Sequence, residues 1–559
     1  MDPVLRSLVR RWIARDPDPE TRAELDALLA ANDGATLADR FAGRLAFGTA
    51  GLRAPMVGGP MGMNRVVVRE SAAGIARYLL AHAVEARARG VVVANDARHR
   101  SSVFAADCAE VIAAHGIPVV LGQGPLPTPV GVCAIRHLGC AAGIVVTASH
   151  NPPGDNGLKL YMGDGAQIVP PIDASVAAAI DEVAADGVVM PPGVAAALVR
   201  PLSDEVVDAY RTLTLRRVPP PAVPVTIATS AMHGVGGALL GRLLADAGHD
   251  RVYPVPEQER PDPDFPTVPF PNPEEPGATT LLAARMVSTG ATLGLAVDPD
   301  ADRVAVLIRR RGGTTRQLTG DEVGALLGEW LLAEVTSGPD RLVVTSVVSS
   351  SLLAKIAAAH ESHHAETLTG FKWLSRSAME HPDWTQVLAY EEAIGYAIGP
   401  DARDKDGLSA ALAVASMAAF ETARGRTLED ALDDLHRAHG AHVTSNFSLR
   451  FEGHGWRERL QSTLALLIDA PPAAVGEAAV VATRRLAPDV LRVDLDGSLR
   501  VIVRPSGTEP KLKCYCEAVE PVGGAGVEAA RGRAAERLSR MRGALEGLLR
   551  SDGAEAGAD

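Results

Sequence analysis

Short apolar strands alternate with helices along much of this 559-residue chain. The strand VVVAND at residue 91 leads through a polar loop and a helix to IPVVL at 117, and the same order returns in segments that begin at 225 and 342. Strands that alternate with helices of about 10–15 residues form βαβ units, whose strands are mainly parallel. Three such copies, about 120 residues apart, predict three similar α/β domains.

The chain changes character after about residue 440. The segment SNFSLRF alternates like a strand, and LRVDLDGSLRVIVRP indicates a hairpin that turns at Asp496-Gly497. This pattern predicts a fourth domain, of the α+β class. Prolines at 219–221 and a glycine pair at 312–313 suggest two earlier boundaries. We therefore expect domains at residues 1–217, 218–316, 317–440 and 441–559.

The composition argues against several classes of protein. The first 40 or so residues read as helical, with no turn before Asn32-Asp33-Gly34, and they lack the apolar core of a signal peptide. No run of 18 apolar residues predicts a membrane span, and five cysteines indicate no disulfide framework. The net charge, 55 minus 68 or −13, argues against a nucleic-acid partner. We expect a cytoplasmic protein that is a monomer or homodimer and binds no membrane.

Lysine is scarce, since six lysines stand against 49 arginines. Where arginine is the default cation, a surviving lysine suggests a position that needs a compact ammonium group. Lys355 lies in the apolar helical run SLLAKIAAA and is interpreted as a surface residue. The other five occur in segments that carry Gly or Pro and are candidates for function: Lys159, Lys372, Lys405, Lys511 and Lys513.

The segment TASHNPPGDNGLK, residues 147–159, follows the apolar strand AAGIVV. A serine at the end of a strand, in a loop with His, Asn and Gly, is well placed to act as a nucleophile, although a capping serine in a turn has the same pattern. The elbow of a serine hydrolase requires glycine two residues to either side of the serine. Those positions are Thr147 and Asn151, so acyl transfer is disfavoured for Ser149.

The segment DPDADR, residues 298–303, follows the strand LGLAV. Alternating acids at a strand end can direct three carboxylates toward one hard cation such as Mg²⁺. An EF-hand would need Gly and Glu where Arg303 and Arg309 stand, and a haloacid-dehalogenase site would need Thr or Val in place of Asp302. A solvated acidic turn is the alternative, but an apolar strand resumes at Val304, and buried carboxylates are costly unless paired or metal-bound.

Two further groups of polar residues are candidates for ligand binding. Carboxylates beside glycine in YEEAIGY (390–396) and DKDG (404–407), with TGFK (369–372), can accept hydrogen bonds from sugar hydroxyls, although each motif is weak alone. The turn RPSGTEPKLK (504–513) offers hydroxyls, an open backbone and cations, which suit a phosphate group better than an ordinary basic turn would. A dinucleotide fingerprint at Gly234-Val-Gly236 is incomplete, because its third position is Leu239.

With these motifs together, the chain resembles the α-D-phosphohexomutase superfamily of phosphoglucomutases and phosphomannomutases. The resemblance covers most of the chain and also includes FGTAGLR at 47–53, DGAQI at 164–168 and MHGVG at 232–236. It implies three α/β domains with mixed sheets and a C-terminal α+β domain like the TATA-box-binding protein, arranged around a central cleft.

The resemblance also implies roles for the residues at the reacting phosphate. Ser149 would be the phosphoserine, and its oxygen would bind Mg²⁺ together with the three aspartates Asp298, Asp300 and Asp302. Arg53 and Lys159 would supply positive charge and proton transfer beside Ser149, with help from His150. The remaining implied residues bind substrate: Arg303, Thr369, Gly370, Lys372, Glu391, Lys405, Arg504, Ser506, Gly507, Thr508 and Lys513.

The expected reaction interconverts hexose 1-phosphate and hexose 6-phosphate, with glucose or mannose as the sugar and hexose 1,6-bisphosphate as activator. Two departures put the sugar in doubt: Ala393 stands where many hexomutases have Ser, and Pro299 where many have Gly. A phosphopentomutase is therefore an alternative. A non-catalytic phosphosugar-binding protein would be expected to have lost Ser149 or an aspartate, and a phosphatase would use an aspartate as nucleophile.

Overall fold

The computed structural model describes residues 1–46, 51–83, 85–188, 195–451, 455–506 and 510–551. The chain forms two compact units. Unit 1 comprises Met1–Leu318 and Gly395–Phe420, and unit 2 comprises Thr319–Ile394 and Glu421–Asp559.

The chain begins with three helices, α1 (Pro3–Arg15), α2 (Pro19–Ala30) and α3 (Gly34–Arg40). The prediction of no turn before Asn32 was wrong, because the helix breaks after Arg15. Pro19 occupies the first turn of α2, where the missing N–H costs nothing, and the Asp18 side chain accepts a 3.0 Å hydrogen bond from the Glu20 N–H. The Asp-Pro pairs at 16–19 were thus a signal for a helix start that the sequence analysis missed.

The first sheet of unit 1 has six strands in the order β1-β5-β4-β2-β3-β6. Its strands are β1 (Leu52–Pro55), β2 (Val91–Asn95), β3 (Val119–Leu121), β4 (Ala142–Val146), β5 (Asp155–Met162) and β6 (Val199–Pro201). The helices are α4 (Arg65–His82), α5 (Ala86–Arg89), α6 (Ser101–Ala114), α7 (Thr128–His137), α8 (Ile172–Asp186), α9 (Ala195–Leu198) and α10 (Glu205–Leu215). Every residue of the central parallel strands β2 and β4 is buried, as expected for strands in the interior of a parallel sheet.

The second sheet of unit 1 has five strands in the order β11-β10-β9-β7-β8. It consists of β7 (Ile227–Ser230), α11 (Gly237–Asp246), β8 (Val252–Pro254), a 3₁₀ turn (Pro256–Gln258), α12 (Thr280–Thr289), β9 (Leu293–Val297), β10 (Val304–Arg309) and β11 (Thr315–Gln317). The glycine pair 312–313 lies in the turn that joins the antiparallel strands β10 and β11.

Unit 2 begins with a third α/β layer. It contains α13 (Gly320–Trp330), a π-helical turn (Leu331–Val335), β12 (Arg341–Ser346), α14 (Leu352–Ala359), β13 (His363–Thr367), α15 (Phe371–Glu380) and β14 (Thr385–Glu391). The strand β12 lies between β13 and β14, parallel to both. The chain then returns to unit 1 with β15 (Gly395–Ile398) and most of α16 (Gly407–Ala423).

The rest of unit 2 is α17 (Leu428–His439) followed by an antiparallel sheet in the order β16-β21-β20-β19-β18-β17. Its elements are β16 (Ala441–Arg450), α18 (Trp456–Asp469), β17 (Ala474–Val475), β18 (Ala478–Ala487), β19 (Val490–Leu495), β20 (Leu499–Pro505), β21 (Lys511–Glu520) and α19 (Gly526–Ser551). The predicted hairpin is confirmed, since β19 and β20 pair across a turn at 496–498.

The predicted fold class is confirmed: three α/β layers with mixed sheets precede a C-terminal α+β domain. In the two sheets of unit 1, parallel strands lie at the centre and antiparallel strands at one edge. The four domain limits stay predictions. None of the helices in the described ranges combines the length and hydrophobicity that crossing a membrane requires.

Candidate active site

Ser149 lies in the loop after β4 and is almost completely buried. Its backbone has φ +53°, in the left-handed region, and its N–H donates to the Thr147 hydroxyl at 2.8 Å. This conformation turns the side chain toward Asp298, whose Oδ2 accepts a 3.0 Å hydrogen bond from the Ser149 hydroxyl. The serine predicted as nucleophile therefore contacts the first of the predicted metal-binding aspartates.

The three aspartates follow β9 directly and are fully buried, with one carboxylate oxygen of each within 4.8 Å of the others. Burial, together with the charges of Asp300 and Asp302, raises the pKa of Asp298 well above its usual range. One oxygen of Asp300 and one of Asp302 is buried without a hydrogen-bond partner among the described residues. Three buried acids, two of them with an unsatisfied oxygen, suit a hard divalent cation, so these residues fit the Mg²⁺ that the family resemblance implies.

Lys159, on β5, reaches the same cluster from the first sheet. Its Nζ lies 2.8 Å from Oδ2 of Asp300 and 2.7 Å from Oδ2 of Asp302, and the side chain is buried. Burial alone would lower the pKa of Lys159, but the two carboxylates outweigh it and raise the pKa. Lys159 is thus a charged ammonium group at the centre of the site.

Thr128, at the start of α7, was missed by the sequence analysis. Its hydroxyl donates to Oδ2 of Asp300 at 2.7 Å, and its N–H donates to the Asp300 carbonyl at 2.9 Å. The sequence marks Thr128-Pro129 only as a helix start, and no motif connects it to an aspartate 172 residues later.

Arg53, on β1, lies beside the serine loop, and His150 is the residue of that loop that follows Ser149. The Nη1 of Arg53 is 3.5 Å from the Asn151 side-chain oxygen, and its Nε is buried with no hydrogen-bond partner in the described part of the chain. Burial, with the positive charges of Arg303 and Arg53, lowers the pKa of His150 well below its usual value. The neutral ring of His150 lies 3.2 Å from the Ser149 hydroxyl through Nδ1. Arg53 therefore retains donors for an anion beside the serine.

Two further predicted residues border the aspartates. The backbone N–H of Arg303 donates to Oδ1 of Asp298 at 3.0 Å, and its guanidinium pairs with Glu274 at 3.3 Å. Lys405, in the segment that returns to unit 1, lies 3.3 Å from Oδ2 of Asp302. Lys405, predicted to bind substrate, is thus part of the aspartate cluster.

Arg98 holds the serine loop in place, although no motif predicted it. Its guanidinium donates to four backbone carbonyls: Ser149 at 2.7 Å, Asn151, Pro152 at 2.8 Å and Asp155 at 3.3 Å. The side chain is 4% exposed and lies over the ring of Phe265. The buried guanidinium of Arg98 therefore stabilises the turn that carries Ser149.

Of the motifs predicted to bind sugar hydroxyls, TGFK (369–372) and Glu391 lie within unit 2, whereas DKDG (404–407) belongs to unit 1. Oε1 of Glu391, at the end of β14, accepts a 2.6 Å hydrogen bond from the Gly370 N–H. The hydroxyl of Thr369 is buried, and none of the described residues hydrogen-bonds it. Lys372, in the first turn of α15, is also buried. Thr369 thus has a hydroxyl available for a ligand next to Glu391.

The predicted phosphate clamp lies on the hairpin between β20 and β21. Arg504 and Lys513 are direct partners in the register of the two strands, and the Ser506 N–H donates to the Lys511 carbonyl at 2.8 Å. Arg504 donates to the Tyr515 hydroxyl at 2.9 Å. The other predicted clamp residues, Gly507 and Thr508, lie outside the described residues, as do residues 47–50 of the FGTAGLR motif.

Comparison with protein families identifies the chain. Four consecutive family models match it: phosphoglucomutase/phosphomannomutase alpha/beta/alpha domain I at residues 44–186, domain II at 212–313, domain III at 319–438 and the C-terminal domain at 467–530. The chain belongs to the phosphoglucomutase/phosphomannomutase family. It is therefore a phosphosugar mutase, an intramolecular phosphotransferase, as the motifs predicted.

Two curated relatives of this phosphosugar mutase have different sugars in their names. The mutase is 40% identical to a probable phosphomannomutase of Haemophilus influenzae over 82% of this chain and 93% of that protein. It is 32% identical to a phosphopentomutase of Mus musculus over 98% of this chain and 94% of that protein. The comparisons thus show the class of enzyme and leave the sugar open.

The fold of the mutase is also that of a solved structure. A crystal structure of a phosphoglucomutase/phosphomannomutase family protein from Burkholderia thailandensis matches with a TM-score of 0.69 at 21% identity, over 91% of this chain and 98% of that one. At this identity the similarity supports the fold alone.

Proposed function

We propose that this mutase interconverts hexose 1-phosphate and hexose 6-phosphate, with glucose or mannose as the sugar, through a phosphoserine at Ser149 and a hexose 1,6-bisphosphate intermediate. The observation that carries the proposal is the contact of the Ser149 hydroxyl with Asp298, 3.0 Å apart, beside two further buried aspartates. A small polar side chain buried against three acids adds little apolar packing. The same position suits a hydroxyl that accepts a phosphoryl group and transfers it back to the substrate.

The side chains around Ser149 divide the work of phosphoryl transfer. The phosphoryl group moves between the Ser149 oxygen and a sugar oxygen, so its equatorial oxygens need cations and donors. Arg53 retains unpaired donors beside the loop, and Lys159 holds a charged ammonium between Asp300 and Asp302. Lys159 and His150 are the candidates for moving a proton to and from the reacting oxygens.

Asp298, Asp300 and Asp302 would hold Mg²⁺ together with an oxygen of phosphorylated Ser149. A bound cation supplies charge neutralisation for the transferring group, which is most of what this chemistry requires. The aspartates themselves must stay ionised to serve as ligands, and Lys159 and Thr128 support this for Asp300 by donating to its Oδ2.

The other predicted residues would orient the substrate. Glu391 and Thr369 are proposed to bind sugar hydroxyls. Arg504, Ser506 and Lys513 are proposed to hold the phosphate that is not reacting. The bisphosphate must turn around between the two half-reactions, so that either phosphate is held by the same donors.

A pentose 1-phosphate is the second candidate substrate. The relative named phosphopentomutase aligns with 98% of this chain, and Ala393 removes a hydroxyl that many hexomutases have beside the sugar-binding glutamate. The hexose assignment is favoured by the higher identity, 40%, to the relative named probable phosphomannomutase.

A coupled assay with purified protein tests the proposal. Glucose, mannose and ribose 1-phosphates are supplied separately with Mg²⁺ and the matching bisphosphate as activator. We expect the highest kcat/KM with a hexose phosphate. A ribose phosphate preference of tenfold or more would establish the pentose alternative, and no turnover with any of the three would favour a phosphosugar-binding protein.

A further inference from the structure

A cavity of about 240 Å³ lies within unit 1, among α7, α10 and the segment 401–406. Three arginines line it, Arg136, Arg217 and Arg403. Of the residues described for the reaction, only Lys405 lines this cavity. The cavity borders the site of phosphoryl transfer and includes Asp404, Lys405 and Asp406 of the DKDG motif, but the proposed reaction does not account for it.

Arg403 is the unusual residue of this cavity. Its Nη1 is buried and has no hydrogen-bond partner among the described residues. Burial, together with the like charge of Arg136, lowers the pKa of Arg403, while Asp164 and Asp401 act in the opposite direction. A buried guanidinium nitrogen that makes no hydrogen bond is costly. The other nitrogens of Arg403 also make no hydrogen bond or ion pair with a described residue, and these are the donors available to an acceptor in the cavity.

The neighbouring basic residues are already engaged. Arg136 donates to the Asp401 backbone carbonyl at 2.7 Å, and Arg217 lies 3.4 Å from Oδ2 of Asp406. Both arginines contribute positive charge to the cavity wall, and these contacts fix the positions of their side chains.

The acids of the wall are engaged as well: Asp401 lies 3.8 Å from Arg136 through Oδ1, and Asp404 and Asp406 accept hydrogen bonds. No carboxylate of a described residue forms an ion pair with Arg403. Oδ2 of Asp404 accepts from the Tyr161 hydroxyl at 2.7 Å and from Gln167 at 2.6 Å. Oδ1 of Asp406 accepts from the Tyr210 hydroxyl at 2.7 Å and from the Ser409 N–H at 2.9 Å.

We propose that this cavity is a second anion site that binds one phosphate group, either inorganic phosphate or the phosphate of a small metabolite. A guanidinium offers a planar fork of donors that matches phosphate oxygens, and Arg403 lines the cavity without a hydrogen bond to a described residue. The volume lies below the roughly 300 Å³ at which pockets for larger ligands begin, so the cavity suits a single phosphate group better than a hexose bisphosphate. The proposal concerns binding and holds whichever sugar the enzyme converts.

The proposed anion site lies close in the chain to a residue of the aspartate cluster. Arg403 is two residues from Lys405, whose Nζ lies 3.3 Å from the metal-binding carboxylate of Asp302. An anion on Arg403 would thus bind beside a segment that contributes directly to the aspartate cluster.

Isothermal titration of the full-length protein with inorganic phosphate, and separately with glycerol 3-phosphate, tests the proposal. The variant Arg504→Met weakens phosphate binding at the proposed clamp, so that binding at the second site can be compared in one background. In that background we expect phosphate to bind with a dissociation constant of about 1 mM or lower. The double variant Arg504→Met/Arg403→Met should weaken this binding by at least tenfold. The comparison of the two ligands shows whether free phosphate or a phosphomonoester is preferred.

Two controls keep the test decisive. Arg242→Met changes an exposed arginine on α11 and should leave phosphate binding unchanged. Arg403→Gln serves if Arg403→Met alters the melting temperature or the circular dichroism spectrum. Equal phosphate binding with and without Arg403 would overturn the proposal, and so would the absence of phosphate binding in Arg504→Met. Neither result depends on the identity of the sugar substrate.

Discussion

Ser149 combines a left-handed backbone, almost complete burial and a hydrogen bond to a metal-binding aspartate. Ser149→Ala removes the oxygen that accepts the phosphoryl group, so we expect mutase turnover to be lost. One loop hydroxyl contributes little to folding, and the melting temperature should change by only a few degrees. Intact-mass measurement should find a fraction of the wild type heavier by one phosphate and no such species in the variant. Near-normal turnover of Ser149→Ala would refute the assignment of the nucleophile.

Asp300 accepts hydrogen bonds from Lys159 and Thr128 through one oxygen and leaves the other without a protein partner. Asp300→Asn neutralises one of three anionic ligands, and we expect half-maximal activity to require at least about tenfold more Mg²⁺. EDTA should abolish wild-type activity, and Mg²⁺ should restore it. Full activity of the wild type in chelator would contradict the metal site.

Lys513 tests whether the scarcity of lysine carries functional information. It faces Arg504 across the strand pair, where a compact ammonium fits beside a guanidinium fork. Lys513→Ala should raise KM for the sugar phosphate, with a loss in kcat/KM on the order of 1.5–3 kcal/mol, the range for a hydrogen bond to a charged group.

The control for this prediction is Lys355→Ala. Lys355 is exposed on α14 and donates to the His439 carbonyl at 2.9 Å, and it is not among the predicted site residues. Its removal should leave kcat/KM unchanged. A change of less than about twofold in Lys513→Ala, or equal damage in Lys355→Ala, would show that the lysine pattern has no bearing on catalysis.

Among the loops and strands, the turn after β4 depends on a single side chain. Arg98 donates to carbonyls along residues 149–155, and lysine, with one ammonium group, cannot reproduce this fork. Arg98→Lys should therefore let the serine loop move. A displacement of about 1 Å is expected to lower kcat by roughly ten- to a hundredfold with little change in KM.

The matched control for the loop is Arg87→Lys. Arg87 also donates to two backbone carbonyls, those of His115 and Gly116, but on an exposed surface. Its kcat should equal that of the wild type. If Arg98→Lys lowers the melting temperature and leaves kcat unchanged, Arg98 supports the fold alone and does not position the nucleophile.

The stability of the whole molecule should depend on pH through a buried acid in unit 2. Burial raises the pKa of Asp321 to about 6, against the opposing effect of hydrogen bonds from the Ser350 N–H and the Thr444 hydroxyl. Because the folded-state pKa lies above the usual 3.8, Asp321 contributes stability below pH 3.8 that is lost as the pH rises through 6. Glu517 acts in the opposite sense. Burial is outweighed by Arg500, which lowers the pKa of Glu517 from 4.5 to about 2, so its contribution is present above pH 4.5 and is lost as the pH falls from there through 2.

Asp321→Asn isolates this effect. Asparagine keeps an acceptor for Ser350, so the variant should unfold at a higher denaturant concentration than the wild type at pH 8, with a gain on the order of 2–3 kcal/mol at most. The difference should shrink at pH 5. Chemical unfolding at both pH values measures it, and a difference that does not change with pH would contradict the buried charge.

Much of this molecule could be predicted from local pattern. The apolar runs 91–95 and 293–297 became central strands because strands buried on both faces need continuous apolar residues. The serine and the three aspartates were found because they follow such strands directly, and strand ends are where loops expose polar side chains. The Asp-Pro pairs at 16–19 also indicate the break between α1 and α2, because Pro is favoured in the first turn of a helix and Asp before it.

Tertiary structure decided which of these residues meet. Lys159 and Thr128 converge on Asp300 from positions 141 and 172 residues away, an arrangement that depends on strand order and domain packing. Lys405 contacts Asp302 within unit 1, whereas Glu391, only 14 residues earlier in the chain, is part of unit 2. Periodicity determines whether a segment is a helix or a strand, because that depends on neighbours along the chain. Contacts such as those of Arg98 depend on which distant segments pack together, and the local sequence does not contain that information.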